Sequence, residues 1–340
     1  MGRSITDLFW FIGKRLLVLI PIVIGVTAIA FILMRAAYPD PCPLWLGGHA
    51  KKSALDACAA AFGLNKPLVE QYFLFLQQFL VGNWGVSPDG IPVVTSIAAY
   101  LPATIELVMA SLFLIIVIGI PLGVIAAQSN GRWADHLVRI FYLGGWATPT
   151  YLGAILAAFF LAPFLGLPTS GQFAQNPPPF PQPTHVSVLD ALLAGNLPYT
   201  VDALSHLFLP AVTLAVLNLG LITRMTRASM LEVLPLDYVK SARMKGLGEF
   251  VVMYKHALRT ALVTTTSVLG FTIAGLLSGA VVVEQIFGWR GLGEFAYDAF
   301  ATSNLPGAID SIVIFAIWTV LANMVADVLY GFLDPKVEWR

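Results

Sequence analysis

Leu16-Leu-Val-Leu-Ile-Pro-Ile-Val-Ile-Gly-Val-Thr-Ala-Ile-Ala-Phe-Ile-Leu-Met34 runs for about nineteen residues without a charge. Coiled as a helix rising about 1.5 Å per residue, it crosses nearly all of the roughly 30 Å hydrocarbon core of a bilayer. Lys14 and Arg15 precede it and Arg35 closes it. A secretory leader opens on a similar basic pair, but its apolar region is only about 7 to 15 residues long, so this stretch reads as a retained membrane span.

Apolar runs of this kind recur along the chain, at 16–35, 103–127, 138–165, 206–226, 259–284 and 309–333, the fourth having the shortest apolar core, Leu207 to Ile222. Pro121, Pro149 and Pro163 fall inside them and predict kinks, since membrane helices tolerate proline where neighbours re-satisfy the freed carbonyls. The 340 residues are 58% hydrophobic and 11% charged, with a mean hydropathy of +0.80. A soluble protein is closer to a quarter charged. No polar stretch is long enough to fold alone, so residues 1–340 predict one transmembrane domain, an all-α polytopic membrane helical bundle of about six spans. The formal net charge is zero, and nothing points to nucleic acid.

The charges sit between the runs, and their placement predicts orientation, because Lys and Arg are retained on the cytoplasmic side of short loops. With the amino terminus inside, Arg3, Lys14, Arg15, Arg132, Arg139, Arg224, Arg227, Lys240, Arg243, Lys245, Lys255, Arg259, Lys336 and Arg340 are cytoplasmic. Only Arg35, Lys51, Lys52, Lys66 and Arg290 lie outside, and 166–205 holds no basic residue. Both termini are therefore expected in the cytoplasm. The outer loop 37–100 carries short helices, one over 67–80, along the membrane surface or capping the bundle. It also carries both cysteines, Cys42 and Cys58. They are open to two readings, a disulfide that the compartment allows or two unpaired small residues. Pro177, Pro178, Pro179, Pro181 and Pro183 make a stiff extended segment, either a spacer or a guide for a docking protein.

The one substantial inner loop, 228–258, is patterned. Pro235 stops a helix, Asp237 is the expected N-cap of a short one, and Gly246 supplies the left-handed residue that ends it. A second short helix starts near Glu249 and runs towards His256 and Arg259. Ser241 and Ala242 leave room for another surface, and Lys240, Arg243 and Lys245 ring it with charge. On charge alone these bases could simply meet anionic headgroups.

Order adds more than charge. Asp237-Tyr-Val-Lys-Ser-Ala-Arg-Met-Lys-Gly-Leu-Gly248, followed by His256-Ala-Leu-Arg-Thr-Ala261, resembles the cytoplasmic coupling-loop signature of permeases in binding-protein-dependent ABC importers, and within them the dipeptide, oligopeptide and nickel branch. Leu101-Pro-Ala-Thr-Ile-Glu-Leu107, Gly119-Ile-Pro-Leu-Gly-Val124, Met225-Thr-Arg-Ala-Ser-Met-Leu-Glu-Val233, Gly279-Ala-Val-Val-Val-Glu284, Gly291-Leu-Gly293 and Asp327 through Asp334-Pro335 are similar to that branch in the same order. Arg290 departs from it, standing where the branch has proline.

The resemblance implies the type I importer permease fold in the plasma (inner) membrane of a prokaryote. It implies that Asp237, Tyr238, Lys240, Ser241, Ala242, Arg243, Lys245, Gly246, Leu247, His256, Leu258 and Arg259 meet a separate ATPase subunit. It further implies a second homologous permease subunit, one or two ATPase subunits that hold ATP and magnesium, an extracytoplasmic substrate-binding protein, and no cofactor on this chain. Dipeptides, longer peptides, nickel chelates and oligosaccharides are all cargo of the branch.

Glu106, Glu284 and Asp327 are ionisable groups at membrane depth and so candidates for the pathway, or for helix-end packing. Gly119 with Gly123, and Gly275 with Gly279, form small faces for close helix approach. An ion-coupled secondary transporter or channel is the competing class, but no internal repeat supports it. Enzyme chemistry has little to stand on. The phosphate-loop, Gly-x-Ser-x-Gly and His-Glu-x-x-His patterns are absent, and His49, His136, His185, His206 and His256 lack ligand spacing.

Overall fold

The computed structural model describes residues 5–40, 42–46, 50–61, 63–175 and 178–333; Arg3, His49, Pro177, and the terminal segment with Asp334, Pro335, Lys336 and Arg340 lie outside them. The described residues form helices α1 (Ile5–Ala37), α2 (Cys42–Leu46), α3 (Lys52–Ala61), α4 (Leu68–Leu80), α5 (Val93–Gln128), α6 (Trp133–Ala147) and α7 (Thr150–Leu165). Then come α8 (Ser187–Leu193), α9 (Leu197–Val233), α10 (Asp237–Met244), α11 (249–267), α12 (Leu269–Phe287), α13 (Leu292–Ala301) and α14 (Leu305–Leu333). The chain is an all-α bundle, and among the described residues the one β contact is an isolated bridge between Val86 and Pro92.

Among the described residues five helices are long and apolar enough to cross a membrane, at Leu17–Ala37, Val93–Gln128, Leu197–Val233, Leu269–Phe287 and Leu305–Val328. The bent pair α6 and α7 supplies a sixth. Contacts show that this pair traverses the bundle. Asp135 of α6 is held by Arg227 near the end of α9, whereas Ser187, after α7, is held by Glu106 in the first half of α5. α5 and α9 both end in one cluster, where Val124 and Ala127 meet Met230 and Val233. The chain thus passes from one end of the bundle to the other between 133 and 187.

Helix limits differ from the hydropathy reading in instructive ways. α9 is the longest helix, not the shortest, with 37 residues. Its most apolar window is 67% buried in protein against 22% for α1. A helix facing lipid must be apolar all round, whereas an enclosed one can carry Thr213, Asn218, Thr223 and Thr226. α5 begins at Val93, ten residues before the expected span, because Val93 and Ile97 pack with Leu292 and Pro102 is accommodated inside the helix. The run read as 259–284 is interrupted at Val268. There Thr265, Thr266 and Ser267 donate their hydroxyls to the carbonyls of Ala261, Leu262 and Thr264, a habit that bends helices.

The prolines are accommodated by two devices, and a sharp bend is seen at Pro149. π turns at Ile115–Gly119 and Ala157–Leu161 precede Pro121 and Pro163 and absorb their missing N–H groups within a continuous helix. Pro149 breaks the helix outright. Thr148 is extended at φ −80 and ψ 122, as a residue before proline prefers, and the axes of α6 and α7 differ by 107°.

α9 is approached closely from three sides, to backbone contact from two of them. A Cβ built on Gly123 of α5 would lie 2.6 Å from Thr226 Cβ and 2.8 Å from the Thr223 carbonyl oxygen. Gly145 of α6 rests on the Val216 carbonyl, and Gly279 of α12 on Leu214. Both glycine pairs noted in the sequence are thus used inside this chain. At the end opposite α10, a disulfide joins Cys42 and Cys58. α4 packs on α1 there, its Tyr72 hydroxyl donating to the Ile24 carbonyl at 2.9 Å and its rings meeting Phe31.

Overpacking of a filled contact costs about 1–3 kcal/mol. Gly123→Leu is therefore expected to lower the thermal midpoint of the purified protein in detergent, whereas Gly144→Leu, whose Cβ meets nothing within 4 Å, is expected to leave it near wild type.

Candidate functional site

At the end of the bundle where α5 and α9 finish, the chain builds a small protrusion. α9 stops at Val233 ahead of Pro235, and α10 starts two residues later. Asp237 is not the N-cap. Leu236 takes that place, its carbonyl accepting from the Val239 and Lys240 N–H groups. Asp237 is instead the first helical residue, where the macrodipole favours a carboxylate, and it lies 3.1 Å from Lys240 Nζ.

Two residues three apart anchor α10. Val239 and Ala242 are buried in a cluster with Val124, Ala127, Met230, Val233, Val252, Met253, Ala257, Leu258 and Ala261. Leu258 therefore belongs to this seat, and the small size of Ala242 serves packing within the chain. Tyr238 Oη lies 2.9 Å from Thr260 Oγ1 and ties α10 to α11.

The other face is exposed. It presents Tyr238, Lys240, Arg243, Met244, Lys245, Gly246 and Leu247, with Ser241 half-buried at its edge. Gly246 has φ 75, the left-handed conformation that only glycine adopts cheaply, and its N–H donates to the Arg243 carbonyl. Arg243 closes the turn by donating from Nη2 and Nε to the two Glu249 carboxylate oxygens, at 2.8 and 3.2 Å. Those bonds hold the Glu249 carboxyl below its ordinary pKa.

The helix after the turn is not short. It runs from 249 to 267 through a π turn at Val252–Ala257, carrying half-buried His256 and exposed Arg259. Phe250 stacks on Tyr254 with ring centroids 4.6 Å apart. Met244 at 80% and Phe250 at 74% exposure make an apolar tip ringed by bases. Such a knob, rigid at its base and greasy at its tip, has the form of an element that enters a socket on another protein.

The buried acids do different work. Glu284, fully buried near the end of α12, accepts from Thr104 Oγ1 at 2.7 Å and from the Gly293 and Glu294 N–H groups at 2.7 and 3.1 Å. Thr104 Oγ1 in turn accepts from the Leu292 N–H. α13 has no side-chain cap of its own, so a carboxylate from another helix caps it. Glu106 does the same for α8, accepting from Ser187 N and Oγ at 2.9 and 2.8 Å and from Val188 N at 2.9 Å. This geometry favours helix-end packing over a place in the pathway. Asp327 is half-buried on α14.

Asp135 escaped the sequence reading. It is fully buried and paired with Arg227, and the spacing Asp135, Val138, Tyr142, Gly145, which sets it on one helical stripe, is the signal that could have found it.

A family model for the binding-protein-dependent transport system inner membrane component matches residues 119–339. The chain belongs to this family. A companion model for the N-terminal part of such membrane components matches residues 8–93 of the permease. The permease is 35% identical over 329 residues to the dipeptide transport system permease protein DppB of Alkalihalophilus pseudofirmus, covering 96% of this chain and 98% of the relative. It is 36% identical to the probable D,D-dipeptide transport system permease protein DdpB of Escherichia coli, with 97% and 98% covered. With the oligopeptide transport system permease protein AppB of Bacillus subtilis the identity is 34%, with 97% and 99% covered. Its fold is shared with a chain of the MetNI methionine ABC transporter solved in an inward facing conformation, at a TM-score of 0.54 and 18% identity over 72% of this chain and 98% of that one. The permease is therefore a multi-pass membrane protein of the type I importer fold.

Removing a buried acceptor leaves its donors unsatisfied at about 1–3 kcal/mol. Glu284→Ala is expected to speed hydrogen exchange at the Leu292, Gly293 and Glu294 amides while leaving α10 unchanged, and Glu284→Gln, which keeps one acceptor, to have the smaller effect.

Proposed function

We propose that this permease forms half of the translocation path of an ATP-driven peptide importer and is driven through the protrusion around Gly246. The observation that carries this reading is the build of that protrusion. α10 is fixed by Val239 and Ala242 onto the ends of α5, α9 and α11, so a push on its exposed face moves helices rather than a loose loop. A segment meant only for lipid headgroups would need bases but neither an apolar tip nor a clamped turn.

In this reading Asp237, Tyr238, Lys240, Ser241, Arg243, Lys245, Gly246 and Leu247 meet a separate ATPase subunit, which holds ATP and magnesium. His256 and Arg259 flank the contact, while Ala242 and Leu258 support it from within. A second homologous permease supplies the other half of the path, and an external binding protein delivers cargo. Peptides are the cargo favoured, because relatives of full length are named for dipeptide, D,D-dipeptide and oligopeptide transport.

The protrusion and both termini face the cytoplasm, and the end with the disulfide faces outward. The fourteen-to-five distribution of Lys and Arg supports this, as does the count of six crossings when α6 and α7 are one broken span. The likeness of family supports the inner membrane as the site.

Gly246 tests the reading. A Cβ there meets nothing within 4 Å inside the chain, so a side chain would cost this chain only about 1–2 kcal/mol of left-handed strain and would project into whatever docks. Gly246→Trp, in the complete importer reconstituted in lipid vesicles, is expected to insert and fold normally. Dipeptide uptake per ATP hydrolysed should fall by about tenfold or more. Uptake at the wild-type ratio would refute the assignment.

A further inference from the structure

α6 is attached to the rest of the chain along one narrow stripe. Asp135, Val138 and Tyr142 are buried and Gly145 is half-buried, at spacings of three and four, while Leu137, Ile140, Phe141, Leu143 and Trp146 are exposed. At its far end the attachment is packing against α9, with Gly145 on Val216 and with the Tyr142 carbonyl and Trp146 over Gly220. At the near end it is a polar knot. Arg227 of α9 donates from Nε and Nη2 to the two Asp135 oxygens, each at 2.8 Å. Nη2 also donates to Asn130 Oδ1 at 2.9 Å, and the Gly131 N–H donates to Asp135 Oδ2 at 3.0 Å. Arg139 Nε stands 3.5 Å from Asp135 Oδ1.

A buried ion pair is a poor way to gain stability, since packed apolar side chains of similar size serve as well or better. What a bidentate guanidinium–carboxylate pair adds is direction, because both donors and both acceptors fix the relative orientation of their helices. Its position gives that direction a use. Arg227 lies on α9 ten residues before Asp237, and α9 and α5 jointly seat α10 through Met230, Val233, Val124 and Ala127. α5 leads through the 129–132 turn into α6, and the Asp135–Arg227 pair closes that path back onto α9. The ring so formed ends at the 107° break at Thr148 and Pro149, beyond which Thr150 of α7 lies beside Gly279 of α12.

We infer that Asp135 and Arg227 are a positioning pair that obliges α6 to follow α10, so that a displacement received at the protrusion is delivered to the break between α6 and α7. This inference rests on the coupling role proposed for α10. The pair and the 129–132 turn move as one block with the protrusion, and the Thr148–Pro149 break is where the block ends and relative motion begins.

Two measurements on the complete importer in lipid vesicles test it. In the first, spin labels at exposed Trp133, at exposed Lys255 on the helix that seats the protrusion, and at exposed Phe164 report distances with and without ATP; the Trp133-to-Lys255 distance should hold while Lys255-to-Phe164 changes. A change in the first distance, or none in the second, overturns the inference. In the second, dipeptide delivered per ATP hydrolysed is compared for Asp135→Asn, Arg227→Gln, their combination, and Asp135→Leu with Arg227→Met. The singles and the combination should each lose about tenfold, without summing. The Leu and Met pair should recover thermal stability but keep the low ratio. A wild-type ratio in that apolar pair would make the ion pair merely structural and end the proposal. Gly246→Trp in the same assay separates the two claims. If it transports at the wild-type ratio, the coupling reading of α10 falls; if it uncouples while Asp135→Asn does not, only the role of the pair falls.

Discussion

Close approach to α9 is the constraint on which this bundle rests. In a bilayer, lipid tails are as apolar as leucine, so helices gain little by hiding greasy side chains and must gain by close approach. Gly119 and Gly123 from α5, Gly145 from α6, Gly153 from α7 and Gly279 from α12 all lie against α9. Once α9 is enclosed in this way its own composition is released from the demand for hydrophobicity. That is why the central helix carries more hydroxyls and amides than the helices on the rim. The same enclosure lets α9 end in a rigid seat for α10, since nothing around it can give.

The two ends of the bundle are finished by different chemistry. At the end with the disulfide, carboxylates carried by long helices reach out to hold short ones, Glu106 for α8 and Glu284 for α13. In a low-dielectric setting a carboxylate that receives several N–H donors is a strong local fastener, and it needs no partner of opposite sign. At the end with α10 the fasteners are ion pairs, Arg227 with Asp135 and Arg243 with Glu249. The former is buried between helices, and the latter clamps an exposed turn.

Much of this architecture is legible in the sequence because membrane insertion writes itself in long unbroken runs and in the placement of bases. The first span, the turn at Gly246, the break at Pro149 and the protrusion between Pro235 and Arg259 can all be read there. The rank of α9 cannot, because hydropathy measures exposure to lipid and α9 has little. Nor can the start of α5, whose first turns are held by Leu292 from far along the chain. Asp237 looks like a cap by residue type, yet the burial of Val239 and Ala242 sets the start of α10 around Leu236. Glu284 and Glu106 read as ionisable groups at membrane depth, and only the folded positions of Gly293 and Ser187 show what they hold. Asp135 is invisible as a single letter among surface-like neighbours and becomes evident only as part of a stripe.

The bond between Cys42 and Cys58 carries a meaning beyond its own loop. A cell envelope offers thiol-oxidising conditions on one side and reducing ones on the other. On the orientation proposed above, the bridge at one pole of the bundle falls on the oxidising side, a requirement that owes nothing to the tally of basic residues. Two unrelated demands, one ionic and one covalent, are thus met by that single proposed orientation.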